Sequence, residues 1–239
     1  MVLSMNEFNY IRRNLENLNE EISRASMKVG TKAPRLICVT KSGSDGELMA
    51  LASFGSEYES FAIGENRPGE LLRRGELLKE GGFATELHQI GTLQSNKAKL
   101  VSPIASLIHS LDSLSLAKEL EKQGQKLGKK IPVLIEINSA CEPQKSGVLP
   151  QNAEEFLCSL KNYPSLDVKG LMTMGPADIQ ISELRKYFAL TKKLFDDLNS
   201  RYNFGADATL SMGMSDSYEA AIEEGSTMIR VGRRLFVKD

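Results

Sequence analysis

Lys41 is the residue of this sequence best placed for covalent chemistry. It directly follows an apolar run, Leu36 to Thr40, which is typical of a buried strand. An amine at the end of such a strand would be partly desolvated, and desolvation favours the neutral form that attacks carbonyl carbons. A solvated lysine at a strand end is the commoner arrangement, so Lys41 needs support from other residues.

Two later segments have the composition of anion-binding turns. The segment Ser211–Ser217, SMGMSDS, precedes a helical run, so Ser215 or Asp216 could cap a helix whose first amides favour a negative group. In the segment Arg230–Arg233, Gly232 would let backbone amides approach a phosphate closely. Either feature alone is more often only structural.

Asn66 is a third polar residue at a predicted strand end, after Gly64 and Glu65. Its amide could donate to a ligand oxygen, or the residue could serve as a helix N-cap. The sequence leaves both roles open.

A metal site is not expected. The two histidines, His88 and His109, form no HxH or HExxH pattern. The three cysteines, Cys38, Cys141 and Cys158, are odd in number and form no CxxC pair, which favours reduced thiols.

Eight short apolar runs alternate with amphipathic helical stretches, and this alternation predicts a single (β/α)8 barrel of the TIM type. The predicted strands are Arg35–Thr40, Ser60–Ile63, Glu86–Ile90, Ser106–His109, Ile131–Asn138, Asp167–Thr173, Ala208–Met212 and Thr227–Val231. A doubly wound open sheet is the alternative. In a barrel the carboxyl ends of the strands meet at one face, and phosphate often binds after strands seven and eight.

The first 30 residues predict an additional helix. Its apolar residues, spaced three and four apart, form one stripe that we expect to pack on the barrel: Phe8, Ile11, Leu15, Leu18, Ile22 and Ala25. No linker composition separates two domains, so we expect one domain over residues 1–239. The segment Ala140–Pro150 is a long loop of the kind that often carries function.

The charge balance argues against nucleic acid and membrane surfaces as partners. The chain has 30 Lys and Arg against 31 Asp and Glu, a net charge of −1. Its apolar runs are far shorter than the roughly 18 residues of a membrane span, and the N-terminus lacks the features of a secretory signal. We therefore expect a cytoplasmic protein.

These residues resemble those of the pyridoxal phosphate homeostasis proteins, whose barrel is similar to the N-terminal domain of alanine racemase. The resemblance covers nearly the whole chain. It is carried in order by VTK at 39–41, GEN at 64–66, HQIGTLQSNK at 88–97, IHSLD at 108–112, KSG at 145–147, GLM at 170–172, SMGMSDS at 211–217 and EEGSTMIRVG at 223–232.

The resemblance implies pyridoxal phosphate (PLP) as the cofactor, bound to Lys41 as an aldimine. It further implies that Ser215 and the backbone of Gly232 hold the phosphate, and that Arg230 faces the pyridine nitrogen. Asn66, His88 and Met212 would line the pocket.

The sequence departs from the family pattern at two places. Arg233 stands where relatives usually have a small hydroxyl residue that bonds phosphate, and it could either pair with the phosphate or point to solvent. Ser42 and Gly43 follow Lys41 where relatives often have a second lysine.

The resemblance favours a PLP carrier or regulator over an enzyme. Alanine racemases add a second domain that supplies a tyrosine acid/base, which this sequence does not contain, so two-base racemisation would lack a proton donor. A weak amino-acid racemase or lyase is the alternative, followed by a Schiff-base aldolase that uses Lys41 on a sugar phosphate. We expect a monomer, with PLP-requiring apo-enzymes as partners.

Overall fold

The computed structural model describes residues 5–58 and 61–238, with side chains from residue 7 onward. Eight parallel strands form a closed barrel in sequence order, and β1 pairs with β8. The strands are β1 Arg35–Val39, β2 Ala62–Glu65, β3 Glu86–Gln89, β4 Leu107–Leu111, β5 Ile131–Glu136, β6 Leu166–Met172, β7 Thr209–Ser211 and β8 Met228–Val231. The predicted barrel is confirmed, and the open-sheet alternative is wrong.

Within the described part of the chain, eight α-helices surround the barrel, with short 3-10 turns between some elements. They are α1 Asn9–Val29, α2 Asp45–Gly55, α3 Pro68–Glu80, α4 Ala98–Val101, α5 Leu114–Leu127, α6 Ala153–Ser159, α7 Ile181–Tyr202 and α8 Tyr218–Glu223. Helix α7 buries Leu184, Phe188, Thr191, Phe195 and Leu198, whose spacing of three and four residues places them on one face.

The second strand lies further along the chain than the sequence suggests. Gly64 pairs with His88 and Glu65 with Gln89, so both residues belong to β2 rather than to the turn after it. Ser60, the first residue of the predicted strand, lies outside the described residues.

Side chains alternate between the barrel interior and the surrounding helices. The interior apolar residues form one buried cluster of Ile37, Val39, Ala62, Ile90, Leu107, Leu134, Met172 and Met228. On β8, Arg230 shares the inward parity of Met228, whereas Ile229 and Val231 face outward. Inward residues at the carboxyl ends of the strands therefore face the mouth of the barrel.

Helix α1 fills the place in the helical ring between α8 and α2, and it packs against both. Its predicted stripe is buried. The helix is capped at its C-terminus by Gly30, whose backbone is in the left-handed conformation. The stripe lies in one cluster with outward residues of β1 and β8, such as Leu36 and Val231. Among the described residues, none of these helices is both long enough and apolar enough to cross a lipid bilayer.

Candidate functional site

A cavity of about 530 Å³ opens at the carboxyl end of the strands. Six of the residues predicted for the site line it: Lys41, Asn66, Ser215, Arg230, Gly232 and Arg233. Apolar residues from several elements complete the walls, among them Val39, Ile90 and Met214. The predicted face of the barrel thus carries a pocket of the size typical of small-molecule sites.

The loops after β7 and β8 meet in one corner of this cavity. The amide of Gly232 donates to the hydroxyl of Ser215 over 3.3 Å. A side chain at position 232 would place its Cβ 2.8 Å from the carbonyl oxygen of Val39, so this close approach requires glycine. The backbone amide of Gly232 and the hydroxyl of Ser215 therefore converge in one polar corner of the cavity.

The expected helix cap is different from the observed one. Ser217, not Ser215 or Asp216, is the N-cap of α8, and its hydroxyl accepts from the amide of Met214 at 3.1 Å. Since Ser217 occupies this turn, the hydroxyl of Ser215 is left to face Gly232.

Arg233 lies exposed at the rim of the cavity, where its guanidinium forms an ion pair with the carboxylate of Asp216. Both side chains are largely solvent-accessible. The guanidinium thus points toward solvent in this structure, and pairing of Arg233 with a phosphate stays a prediction.

Arg230 is buried beneath the cavity. Its guanidinium donates to the hydroxyl of Ser211 at 2.6 Å and to the carbonyl oxygen of Thr173 at 3.0 Å. Burial lowers the pKa of Arg230 to about 10, while the carboxylate of Glu136 opposes that effect. The side chain therefore stays cationic at neutral pH, with further N–H groups to offer a ligand.

Lys41 lies in the turn after β1 and is exposed at the cavity. The desolvation expected from the sequence is therefore absent. The loop itself is held from below, because the guanidinium of Arg74 donates to the carbonyl oxygens of Thr40 at 2.7 Å and Gly43 at 2.9 Å.

A buried ion pair supports this loop. The Nε of Arg74 lies 3.2 Å from the carboxylate of Glu65, which also accepts a hydrogen bond from the hydroxyl of Thr40. Burial raises the pKa of Glu65, and Thr40 and Arg74 offset part of that effect. Both carboxylate and guanidinium are thus paired, as buried charges must be.

Sequence reasoning missed Arg74 and the structural role of Glu65. A signal was present, because Arg74 continues the spacing of the buried residues Leu71 and Leu78 on α3. A charged residue within an apolar stripe indicates a buried partner.

Asn66 lines the cavity, but it is not the N-cap of α3, which is Arg67. Its backbone carbonyl accepts from the side-chain amide of Gln89 at 3.0 Å. The N-cap alternative is therefore wrong.

Two predicted pocket residues lie elsewhere. His88 points into the barrel but borders a cavity at the opposite, amino end of the strands. Met212 is fully buried outside the barrel, among the residues that pack under the helices. The next residue along a strand faces the other side, so Met212 points away from the interior that Ser211 faces.

Comparison with known proteins identifies the family of this chain. The sequence model described as "Alanine racemase, N-terminal domain" matches residues 13–238. The pyridoxal phosphate homeostasis protein of Aquifex aeolicus is 37% identical over 232 residues, which span 97% of this chain and 98% of the relative.

The chain belongs to the pyridoxal phosphate homeostasis protein family.

Two solved structures extend the comparison. An unknown protein from Bifidobacterium adolescentis is 32% identical, with a TM-score of 0.86 over 99% of this chain and 98% of its own. PipY of Synechococcus elongatus, solved with PLP bound, is 27% identical, with a TM-score of 0.80 over 95% of this chain and 100% of its own. The family's barrel is therefore present over nearly the whole chain.

Proposed function

We propose that this chain binds PLP covalently through Lys41 and acts as a carrier or regulator in vitamin B6 homeostasis. The names of the relatives support homeostasis, and the PLP-bound structure of PipY supports the cofactor. The observation that carries the proposal is the convergence, in one cavity, of an amine, an amide–hydroxyl corner and a buried guanidinium.

The residues present fit each part of the cofactor. The corner of Gly232 and Ser215 offers an amide and a hydroxyl to the phosphate. Arg230 offers N–H donors to the ring nitrogen from beneath the cavity. Lys41 offers its amine to the aldehyde, and the two amine hydrogens leave with the aldehyde oxygen as water when the C=N bond forms.

PLP supplies an electron sink when bound, and that sink is strongest when its ring nitrogen is protonated. Arg230 has only donors and remains cationic, so it disfavours a proton on that nitrogen. This charge arrangement suits a protein that holds the cofactor better than one that drives carbanion chemistry.

Three further features belong to the same proposal. PLP-requiring apo-enzymes are the recipients, reached by transfer of the cofactor from Lys41. The carrier is a monomer. It works in the cytoplasm, a reducing compartment in which the free thiols of Cys38, Cys141 and Cys158 persist.

The first experiment tests the covalent site. The protein, stripped of cofactor, is incubated with PLP and reduced with borohydride, and the modified lysine is found by mass spectrometry. We expect a visible absorbance band and modification of Lys41. Lys41→Ala should abolish both, whereas Lys32→Ala, a change at the opposite end of the barrel, should leave them intact.

A second measurement separates carrier from catalyst. Wild-type protein loaded with PLP is incubated with amino acids in deuterated water, and exchange of the α-hydrogen is followed by NMR. A carrier gives the borohydride-reduced lysine adduct of the first experiment but shows no exchange of the α-hydrogen here. Exchange that depends on Lys41 would contradict the carrier function and indicate a racemase or lyase.

A further inference from the structure

Four polar side chains, those of Arg230, Ser211, His109 and His88, contact one another in a row along the interior of the barrel, beneath the proposed cofactor. We call this row the file. Arg230 contacts the hydroxyl of Ser211, whose oxygen lies 3.1 Å from Nδ1 of His109. Nε2 of His109 lies 3.0 Å from Nδ1 of His88. All four residues are buried. The file joins the candidate site to the opposite end of the barrel.

The hydrogen bonds at the Arg230 end of the file have a defined direction from donor to acceptor. A guanidinium has only donors, so the oxygen of Ser211 accepts from Arg230. The hydroxyl hydrogen of Ser211 then has Nδ1 of His109 as its acceptor in the described contacts. His109 must therefore carry its proton on Nε2, from which it donates to Nδ1 of His88.

Nε2 of His88 has no hydrogen-bond partner among the described residues, and the nearby charge of Glu86 favours the same direction. Since His88 accepts at Nδ1, its proton is on Nε2, which lies 3.6 Å from the carboxylate of Glu86. The reverse direction would turn a ring lone pair toward that carboxylate and leave the hydroxyl hydrogen of Ser211 without its acceptor. Burial lowers the pKa of both histidines, which is consistent with two neutral rings.

We propose that His109 and Ser211 are positioning residues that fix the guanidinium of Arg230 for the cofactor's ring nitrogen. The inference rests on the proposed function, because it assigns these residues a role toward PLP. Nδ1 of His109 accepts a hydrogen bond from the hydroxyl of Ser211, which orients a lone pair of the hydroxyl oxygen toward Arg230. With the carbonyl of Thr173, this contact holds the guanidinium at two points.

The direction of the file can be measured without cofactor. The chain has two histidines, so nitrogen-15 labelling of histidine gives two ring spectra, which a single His88→Gln spectrum assigns. We expect both rings to be neutral, with the proton on Nε2, in the wild-type protein at neutral pH. A proton on Nδ1 of either ring, or a cationic ring, would overturn the inference.

The role toward Arg230 is tested with matched variants. Ser211→Ala and His109→Leu remove the contact, whereas His109→Asn keeps an amide oxygen where Nδ1 stands. Ser102→Ala is the control, since Ser102 is an equally buried serine whose hydroxyl donates to the carbonyl oxygen of Ala98 in α4. The readouts are the absorbance band of bound PLP, its dissociation constant, and the side-chain NMR signal of Arg230 in cofactor-free protein.

We expect Ser211→Ala and His109→Leu to shift the absorbance band and to weaken PLP binding about tenfold, as for loss of a hydrogen bond to a charged group. They should also move the Arg230 signal in the absence of PLP. His109→Asn and Ser102→Ala should stay close to wild type.

An unchanged band and an unchanged Arg230 signal in Ser211→Ala would refute the positioning role. If wild-type protein binds no PLP, the proposed function fails instead. The ring spectra and the Arg230 signal would then still decide whether the file fixes this guanidinium.

Discussion

Glu136 shows how a single buried carboxyl group can set the pH dependence of stability. It ends β5 inside the barrel, and its Oε2 has no hydrogen-bond partner among the described residues. Burial, and next the charge of Asp112, raise the pKa of Glu136, and Arg230 opposes both, so that the resulting pKa is about 7. The carboxyl group therefore titrates near neutral pH in the folded protein.

The sign of the effect follows from the direction of this shift. The folded state binds the Glu136 proton more tightly than the unfolded state does, so ionisation costs folding free energy. This residue's contribution to stability is fully present below its unfolded pKa, near 4.5, and is lost as pH rises toward about 7.

Glu136→Gln should therefore stabilise the protein at alkaline pH. We expect a gain of about 2 to 3 kcal/mol in the free energy of unfolding at pH 8 and a much smaller gain at pH 5. Urea unfolding at the two pH values measures the difference. Glu183→Gln, at an exposed position on α7, should leave the pH dependence of wild type in place. Equal gains at both pH values would contradict the assignment.

At the scale of elements, α3 positions the turn that carries Lys41. Arg74 reaches from this helix to two carbonyl oxygens of the turn and to Glu65 of β2. The proposed reactive lysine thus sits on a loop that is anchored to two neighbouring elements, as a preorganised site requires.

Arg74→Lys should weaken this anchor, since an ammonium group keeps the charge but cannot bridge two carbonyls as the planar guanidinium does. We expect slower formation of the borohydride-trapped PLP adduct and a loss of roughly 1 to 3 kcal/mol in stability. The control is Arg73→Lys on the same helix, because Arg73 is exposed and pairs with Asp45 and Glu70.

The control should change stability by less than about 1 kcal/mol, as exposed ion pairs usually do. Equal adduct rates in Arg74→Lys and wild type would show that the loop needs no anchor.

The sequence predicted the elements better than it predicted their contacts. Apolar runs and the stripe of α1 have the period of their elements, so all eight strands and the first helix were found. The order βα repeated eight times then placed Lys41, Ser215 and Gly232 at one face. These features depend on local pattern and on topology, which a single sequence contains.

Features that depend on three-dimensional neighbours were not predictable in the same way. The partner of Arg74 lies on another element, and the cap of α8 at Ser217 depends on how its turn closes. His88 has the inward parity of its strand, but pattern alone does not say at which layer of the barrel it lies. Position along the barrel axis requires the register between strands.

At the scale of the molecule, α1 joins the segment before β1 to the segment after β8. Asn14 donates to the carbonyl oxygens of Leu235 at 3.2 Å and Val237 at 2.9 Å, after β8. Glu21 accepts from Arg234 at 2.8 Å. Residues before β1 and after β8 therefore close the helical ring together, and we propose that residues 1–239 form one domain.

The free energy with which α1 packs on the barrel favours unfolding of the whole domain in one step. Four side chains of α1 are almost fully buried: Ile11, Leu15, Leu18 and Ile22. Burial stabilises each by about 1.5 to 3 kcal/mol, so detaching the helix would cost roughly 6 to 12 kcal/mol. That range overlaps the total stability of a typical domain, about 5 to 15 kcal/mol, so a barrel without α1 should not persist.

A tryptophan on α1 can test this expectation, because the sequence contains no tryptophan. In Tyr10→Trp, fluorescence reports on α1 and far-ultraviolet circular dichroism reports on all helices of the same sample. We expect the two urea curves to coincide, as they should in Tyr187→Trp, which reports on α7. A lower midpoint for the fluorescence of Tyr10→Trp alone would mean that α1 detaches from a barrel that stays folded. The burial of its four apolar side chains would then contribute far less than their area implies, and the barrel would have to be stable with the outer faces of β1 and β8 exposed.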